Sequence, residues 1–258
     1  DYLAKFRLNT DREGDLYQEI LVKVGQTDET SHETYLGLTD QDFSTAPYRR
    51  YAGSQVDRME TNQEQYQVRY FIQPGETFDL TSIAYRSNFK RNWYKLDRVR
   101  AAAGGTRSLI GNILNSPGAH NAEYLIIKGG TSPNDDALEV KANNRSYYSQ
   151  GVQTVLGLTK TSGPLEHKME LGIRVHRDQI DRFQWVDKYR MNNGRMELTN
   201  PGIQGTESNR VETATALASF LQYTVSRGRI TLTPGIRYEN ITIRREDYGQ
   251  ADTERVGT

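Results

Sequence analysis

Residues 166–178 alternate without error: Met169, Leu171, Ile173 and Val175 take one parity, and Lys168, Glu170, Gly172, Arg174, His176 and Asp178 the other. Successive side chains on a strand point to opposite faces, so this segment reads as a strand with one oily and one charged face. Residues 229–239 repeat the pattern, setting Ile230, Leu232, Pro234, Ile236 and Tyr238 against Arg229, Thr231, Thr233, Gly235, Arg237 and Glu239. Proline has no donor for a ladder, so a local bulge or a missing bond is expected at Pro234. Weaker copies cover 2–8, 16–24, 66–72, 78–84, 148–158 and 217–225, with Ile83, Tyr85 and Phe220 off the pattern. About eight strands result, several longer than the ~10 residues a tilted strand needs to cross a bilayer.

The connections alternate in length. Residues 10–14, 74–75, 161–165 and 226–228 are tight and carry the Gly, Pro, Asp and Ser that turns use. Between them, 26–60, 91–145 and 183–210 are long and polar. Soluble domains seldom hold several structureless loops beyond about 15 residues. Outer-membrane barrels combine short periplasmic turns with long extracellular loops. Within the second long stretch, 107–114 sets Leu109, Ile110, Ile113 and Leu114 on one helical face before Pro117-Gly118, predicting a short helix over the barrel mouth. Residues 124–127 read as a strand. The fold class is therefore all-β, an antiparallel transmembrane β-barrel; a soluble β-sandwich or propeller shares the alternation, and long loops on one side favour the barrel.

Hydropathy does not decide between these. Mean hydropathy is −0.77, and no apolar run approaches the ~20 residues of a membrane helix. Barrels escape that test because only alternate residues face lipid. The absence of cysteine excludes disulfide frameworks and thiolate chemistry. Lys plus Arg and Asp plus Glu are equal at 33 each, which argues against a dedicated nucleic-acid binder. Sixteen tyrosines, more than Phe and Trp together, suit a boundary between oily and wet surroundings. No phosphate loop, His-Glu-x-x-His or nucleophile elbow occurs, and His32, His120, His167 and His176 lack metal-ligand spacing, so no enzyme activity and no resident cofactor are expected.

Several stretches resemble a known family in order along the chain. Residues 31–39 (Ser-His-Glu-Thr-Tyr-Leu-Gly-Leu-Thr), continuing through Asp42-Phe43, Pro47-Tyr-Arg-Arg-Tyr51 and Asp57-Arg-Met59, resemble the barrel of TonB-dependent receptors of the ferric citrate (ferric dicitrate) type. Asn92-Trp-Tyr-Lys-Leu-Asp97, Lys141-Ala-Asn-Asn-Arg-Ser146, Asp181-Arg-Phe-Gln-Trp185 and Pro234-Gly-Ile-Arg-Tyr-Glu239 resemble further pieces. The resemblance implies a barrel of about 22 strands around a plug. Residues 1–258 would form part of that barrel, with plug and C-terminal strands absent. It further implies uptake of a ferric siderophore or similar chelate at the bacterial outer membrane, with TonB acting through the plug. Cobalamin, nickel or a sugar are other possible cargoes. A passive porin and a soluble secreted β-sheet binding protein are the rival functions.

An anionic iron chelate calls for cations that bind carboxylates in two-pronged fashion, which favours arginine. The candidate ligand-binding residues are Arg49, Arg50, Arg91, Arg98 and Arg107, with Trp93 and Tyr94 beside them, all in loops or at strand tops. Pairing with Asp40, Asp42, Asp57 or Asp97 would make any of them structural instead. Met169, Leu171, Ile173, Val175, Ile230, Leu232, Ile236 and Tyr238 are the expected lipid-facing belt. Lys168, Glu170, Arg174, Arg237 and Glu239, on the other parity, would meet a plug or one another.

Overall fold

The computed structural model describes residues 1–255. Its long strands are β1 (Tyr2–Asn9), β2 (Leu16–Ser31), β3 (Arg58–Pro74) and β4 (Phe78–Val99). After β5 (Ser108–Leu109) come β6 (Leu138–Ser162), β7 (Leu165–Asn192), β8 (Arg195–Asn200), β9 (Ser208–Arg227), β10 (Ile230–Leu232) and β11 (Gly235–Asp247). Three short helices, α1 (Asp40–Thr45), α2 (Ile110–Asn115) and α3 (Asn121–Ile127), interrupt the connections. The strands form one antiparallel sheet in the order β1-β2-β3-β4-β6-β7-β9, with β10 and β11 both on β9, β5 on β4 and β8 on β7. Eight of these eleven are long, as the alternation predicts, and the sheet is an unclosed segment of a barrel.

Register fixes the faces. Phe6, Val22, Val68, Ala84, Val152, Val175 and Leu217 are successive cross-strand partners in one row. Leu80, Leu156, Leu171, Leu221 and Ile236 form another. Directly opposite residues share a face, so these rows build one apolar face, and all eight residues of the expected belt have its parity. Seven of them, all but Met169, are prominently exposed. At Pro234 the outcome is a missing bond, without a bulge: β10 and β11 keep the same register on β9, Leu232 opposite Val225 and Gly235 opposite Gln222. Tyr223 N donates to the Pro234 carbonyl at 2.9 Å across the gap.

The off-pattern aromatics belong to the charged face. Tyr85 lies opposite Gly151 and Phe220 opposite Gly172. Each ring lies where a Cβ on its partner glycine would stand. The glycines are therefore seats for rings, a known way to cover a strand glycine.

The short turns match expectation, with Gly75, Gly163 and Gly228 at φ of 74°, 57° and 59°, a region that glycine enters without strain. Antiparallel order collects these turns at one end of the sheet and the long connections at the other. The long connections are shorter than the sequence suggests, because β2, β4, β6 and β7 run on well into 26–60, 91–145 and 183–210, and β3 and β9 begin just inside them. Consequently Arg91, Trp93 and Arg98 are strand residues, not loop residues. The 28 residues of β7 greatly exceed the ~10 that span a bilayer.

The buried core sits at the long-connection end. Leu96, Val99, Leu138 and Val140 pack there with Ile110 and Ile113 of α2, Ile126 and Ile127 of α3, and Leu36 and Tyr51. Leu96 and Val140 are register partners of apolar-face parity, so the helices cover that side of the strand extensions and not the barrel mouth. Residues 124–127 are helical, against the strand reading. Ile126 and Ile127 are both buried while Leu125 is 52% exposed, a pattern that period two cannot produce.

Placing a side chain at Gly172 should expel Phe220. Gly172→Val is expected to destabilise by roughly 1–3 kcal/mol, the usual range for overpacking. In a Phe220→Ala background it should cost much less. Thermal unfolding of the four-member cycle in detergent measures the coupling, and additive effects would show that the ring does not need the glycine.

Candidate functional site

Seven residues beyond the row Ala84, Val152, Val175 and Leu217, each of the four strands β4, β6, β7 and β9 carries an arginine: Arg91, Arg145, Arg182 and Arg210. Register makes them immediate neighbours, Arg91 opposite Arg145, Arg145 opposite Arg182, and Arg182 opposite Arg210. Seven is odd, so the row lies on the charged face, roughly 23 Å along the strands at ~3.3 Å per residue. All four are half-buried. Thr61 and Asp247 end the row, and Asp247 is engaged by Arg245 at 2.6 Å.

Four like charges side by side are unfavourable. At an effective dielectric near 20, unit charges one strand spacing apart repel by roughly 3 kcal/mol before solvent screening reduces it. Among the described residues no carboxylate forms an ion pair with Arg91, Arg145 or Arg182, and Arg210 has only Glu212, at 3.3 Å. The Nε atoms of Arg91 and Arg182 are buried without a hydrogen-bond partner. Burial, and then the charges of Arg145 and Arg210, hold the Arg182 pKa below the ordinary arginine value. Such a row is matched chemically to a ligand with several negative oxygens.

Its surroundings add shape. Next along the strands stand Trp93, Asn143, Gln184 and Ser208; Arg145 Nε and Gln184 Nε2 both donate to Asn143 Oδ1. The Lys95 ammonium lies 3.2 Å from the Tyr35 ring centre and 4.4 Å from that of Trp93, which meets Tyr35 edge-on. Burial pulls the Lys95 pKa down, opposed by the Asp97 charge. On the turn side of the row is a depression of about 430 Å³, lined on this face by Phe89, Tyr147, Ile180 and Ile243.

The other predicted arginines are occupied. Arg49 Nη1 pairs with Asp42 at 2.9 Å, and Tyr51 and Tyr124 hydroxyls donate to the same carboxylate at 2.6 and 2.5 Å. Those hydroxyls, Tyr124 first, hold Asp42 below the usual carboxylate range, and burial with the Asp42 bond pushes Tyr51 up to about 12. Arg50 Nη1 donates to the His32 carbonyl at 2.8 Å. Nearby, burial raises the Asp57 pKa although Thr34 and the Leu96 amide donate to it. Arg98 lies 3.7 Å from Glu139 and 3.8 Å from Glu207, while Arg107 pairs with Glu139 and, at 3.5 Å, Asp136. Tyr94, beside them in sequence, is of apolar-face parity and bonds Asp187 at 2.5 Å. Of the predicted set, only Arg91 and Trp93 join the row and its wall.

Nearer the short turns the charged-face groups satisfy one another. Lys168 meets Glu170 at 3.0 Å and Arg237 meets Glu239. Arg174 Nη2 donates to Tyr85 Oη at 2.7 Å, and Tyr85 Oη lies 2.5 Å from His176 Nδ1, whose Nε2 reaches Asp178 at 2.8 Å. Among the described residues no cluster suits a metal ion, and the row sets four neighbouring cations against the single acid Glu212.

The profile "TonB dependent receptor-like, beta-barrel" matches residues 8–257. The chain belongs to the TonB-dependent receptor β-barrel family. This family consists of outer-membrane receptors and transporters of Gram-negative bacteria, not enzymes. Solved structures agree in fold at low identity. The ferric citrate transporter FecA in its unliganded form is 14% identical, TM-score 0.57, over 95% of this chain and 30% of that one. The siderophore receptor PiuA from Acinetobacter baumannii is 10% identical, TM-score 0.58, over 96% and 36%. The ferric-catecholate import receptor Fiu from E. coli, in its closed form, is 12% identical, TM-score 0.53, over 95% and 34%. The chain thus spans about a third of these receptors' length. No curated protein sequence matches it.

Relieving the row should not weaken this TonB-dependent receptor barrel. Arg182→Gln is expected to leave thermal stability unchanged or raised, since it removes repulsion and breaks no ion pair. Citrate should raise the unfolding temperature of the parent by mass action and raise that of Arg182→Gln less. A clear loss of stability in Arg182→Gln without anion present would show the row to be structural.

Proposed function

We propose that this chain is barrel wall from an outer-membrane receptor for TonB-dependent uptake of an anionic ferric chelate, and that Arg91, Arg145, Arg182 and Arg210 form the wall against which the chelate docks. The observation that carries this reading is the arginine row: four neighbouring cations, on the face opposite the apolar belt, without enough acid to neutralise them. A polycarboxylate chelate of the citrate type fits because each guanidinium fork can take two oxygens and stays charged at any environmental pH. Transport in this reading follows rearrangement of a plug that TonB engages; plug, TonB contact and the strands that close the barrel are supplied by the rest of the receptor. Arg49, Arg50, Arg98 and Arg107 then shape the connections that carry the site, and the belt from Met169 to Tyr238 faces lipid.

A charge-assisted hydrogen bond contributes about 1.5–3 kcal/mol, so Arg145→Gln or Arg182→Gln in the complete receptor should weaken ferric citrate binding by roughly ten- to a hundredfold. Arg182→Lys should recover only part of the loss because the fork is gone. Arg49→Gln should disturb stability more than affinity. Unchanged affinity in both row variants would remove the row from the site; absence of binding to any anionic ferric chelate would remove the substrate class.

The lipid-facing reading has its own check. Ile173→Arg should destabilise the membrane-inserted protein by roughly 2–4 kcal/mol, as for a cation placed at mid-bilayer, whereas Arg174→Ala should cost less. A nitroxide at position 173 should report lipid and one at 174 water. Equal signals would mean that this face does not meet the bilayer.

A further inference from the structure

On the charged face a basic residue is commonly answered by an acid two positions along its own strand. Lys168 meets Glu170 at 3.0 Å, Arg210 meets Glu212 at 3.3 Å, Arg245 meets Asp247 at 2.6 Å, and Arg237 meets Glu239. Residues two apart on a strand share a face and stand roughly 6.6 Å apart, within reach of two side chains. The arginine row departs from this habit on three of its four strands. Phe89 and Trp93 flank Arg91, Asn143 and Tyr147 flank Arg145, and Ile180 and Gln184 flank Arg182. None of the six is acidic.

Asn143 has the geometry of the missing acid without its charge. Its Oδ1 accepts from Arg145 Nε at 2.9 Å and from Gln184 Nε2. Gln184 is 4% exposed, and its backbone carbonyl accepts from the amides of Gly205 and Glu207 at 3.1 and 3.0 Å, which fixes the second donor. A guanidinium nitrogen can only donate, so the amide oxygen must face Arg145 and the Nδ2 must point away. Among the described residues nothing accepts from that Nδ2. Trp93 is the register partner of Asn143 on β4, and its Nε1 is likewise buried without an acceptor. Two neutral donors therefore stand beside four cations.

We propose that Asn143 is the specificity-determining residue of the row: an amide in the counter-ion position, which holds Arg145 in place and leaves the charge of the row to a multiply anionic chelate. An aspartate there would accept the same two hydrogen bonds. It would also neutralise Arg145 and turn the outward donor into an acceptor that repels carboxylates. This role rests on the docking proposed above for the row, and it sets the charge selectivity of that same wall.

The test measures ferric citrate binding to the complete receptor in detergent. Asn143→Asp should weaken it by roughly ten- to thirtyfold, the effect of one unit charge about 6 Å from an anion at an effective dielectric of about 30 to 40. Asn143→Ala, which releases Arg145 but adds no charge, should weaken it by only roughly threefold. The order matters, because a residue that merely propped Arg145 would tolerate Asp better than Ala. Without ligand, Asn143→Asp should unfold at a higher temperature than the parent, since it relieves repulsion. Gln184→Glu, which sets an acid two residues from Arg182, should weaken binding as well and serves if Asn143→Asp does not fold. Gln67→Glu adds the same charge to the same face of β3, roughly 20 Å along the strands from the row, and should change nothing because salt screens that distance. Asn143→Asp that binds as tightly as the parent, or more tightly than Asn143→Ala, overturns the proposal. So does an unfolding temperature that does not rise, or an equal loss in Gln67→Glu. If the parent binds no anionic ferric chelate, the uptake reading itself fails; if it binds ferric citrate and Asn143→Asp does the same, that reading stands and only the role of Asn143 falls.

Discussion

The continuous backbone ladder is the constraint on which everything else in this sheet depends. Strand side chains have a period of two, so a slip of one residue between neighbours would exchange their faces entirely. From β1 to β9 the register holds through the belt and the arginine row, shifting on β4–β6 only past Leu96, and it survives the gap at Pro234, because Gly235 resumes pairing where Leu232 left off. A single phase therefore governs both the apolar rows and the arginine row. In a bilayer the ladder is also compulsory, since lipid offers backbone groups no other partner. Strand order, apolar belt and arginine row are consequences of one set of hydrogen bonds.

The same phase explains what was legible in the sequence. Between 166 and 178 one face is oily and the other charged, and the alternation shows plainly. Beyond that level both faces are polar: 86–92 reads Arg-Ser-Asn-Phe-Lys-Arg-Asn, without an oily stripe, although the ladder persists to Val99. Strand structure there rests on backbone pairing that composition does not record, so from Arg91 onward the chain reads as loop. The arginine row was hidden for the same reason. Arg91 is visible as a candidate by itself, but Arg145, Arg182 and Arg210 become its neighbours only when the four strands are aligned, each seven residues from its own belt residue. Tyr85 and Phe220 look like errors in the pattern until Gly151 and Gly172 are found opposite them. The run 124–127 is too short for periodicity to separate strand from helix, and burial of two consecutive isoleucines decides it.

The two ends of the strands handle charge in opposite ways. Toward the short turns, Lys168 with Glu170 and Arg237 with Glu239 neutralise one another along a strand. Arg49 and Arg107 in the connections, and Arg98 at the end of β4, stand beside acids. Against this habit of local neutralisation, the row at Arg91, Arg145, Arg182 and Arg210 is an exception that the fold must sustain. Directly opposed like charges weaken a sheet, and the long ladders of these four strands, 20 to 28 residues each, supply the pairing that tolerates them. An arrangement that opposes stability and sits on the face away from the belt is expected where function, not folding, selects the side chains.

Arginine is also the residue type best suited to so crowded a row. A lysine among three neighbouring cations could shed its proton, and the site would lose charge when its ligand was absent. Burial, and after it crowding, pull Arg182 below the ordinary arginine value, but that value starts far above any environmental pH, so the guanidinium remains charged. Repulsion therefore cannot relax by deprotonation; it can relax only by side-chain displacement, by screening ions or by a bound anion. If the row is the site proposed above, an anion bound across it lowers its free energy, and such a ligand brings several negative oxygens spaced like the strands, about 4.8 Å apart. A compact monoanion can satisfy one pair of neighbours. A chelate that presents carboxylates on more than one side can satisfy the whole row at once, and this geometric demand, more than net charge, separates the two classes of ligand.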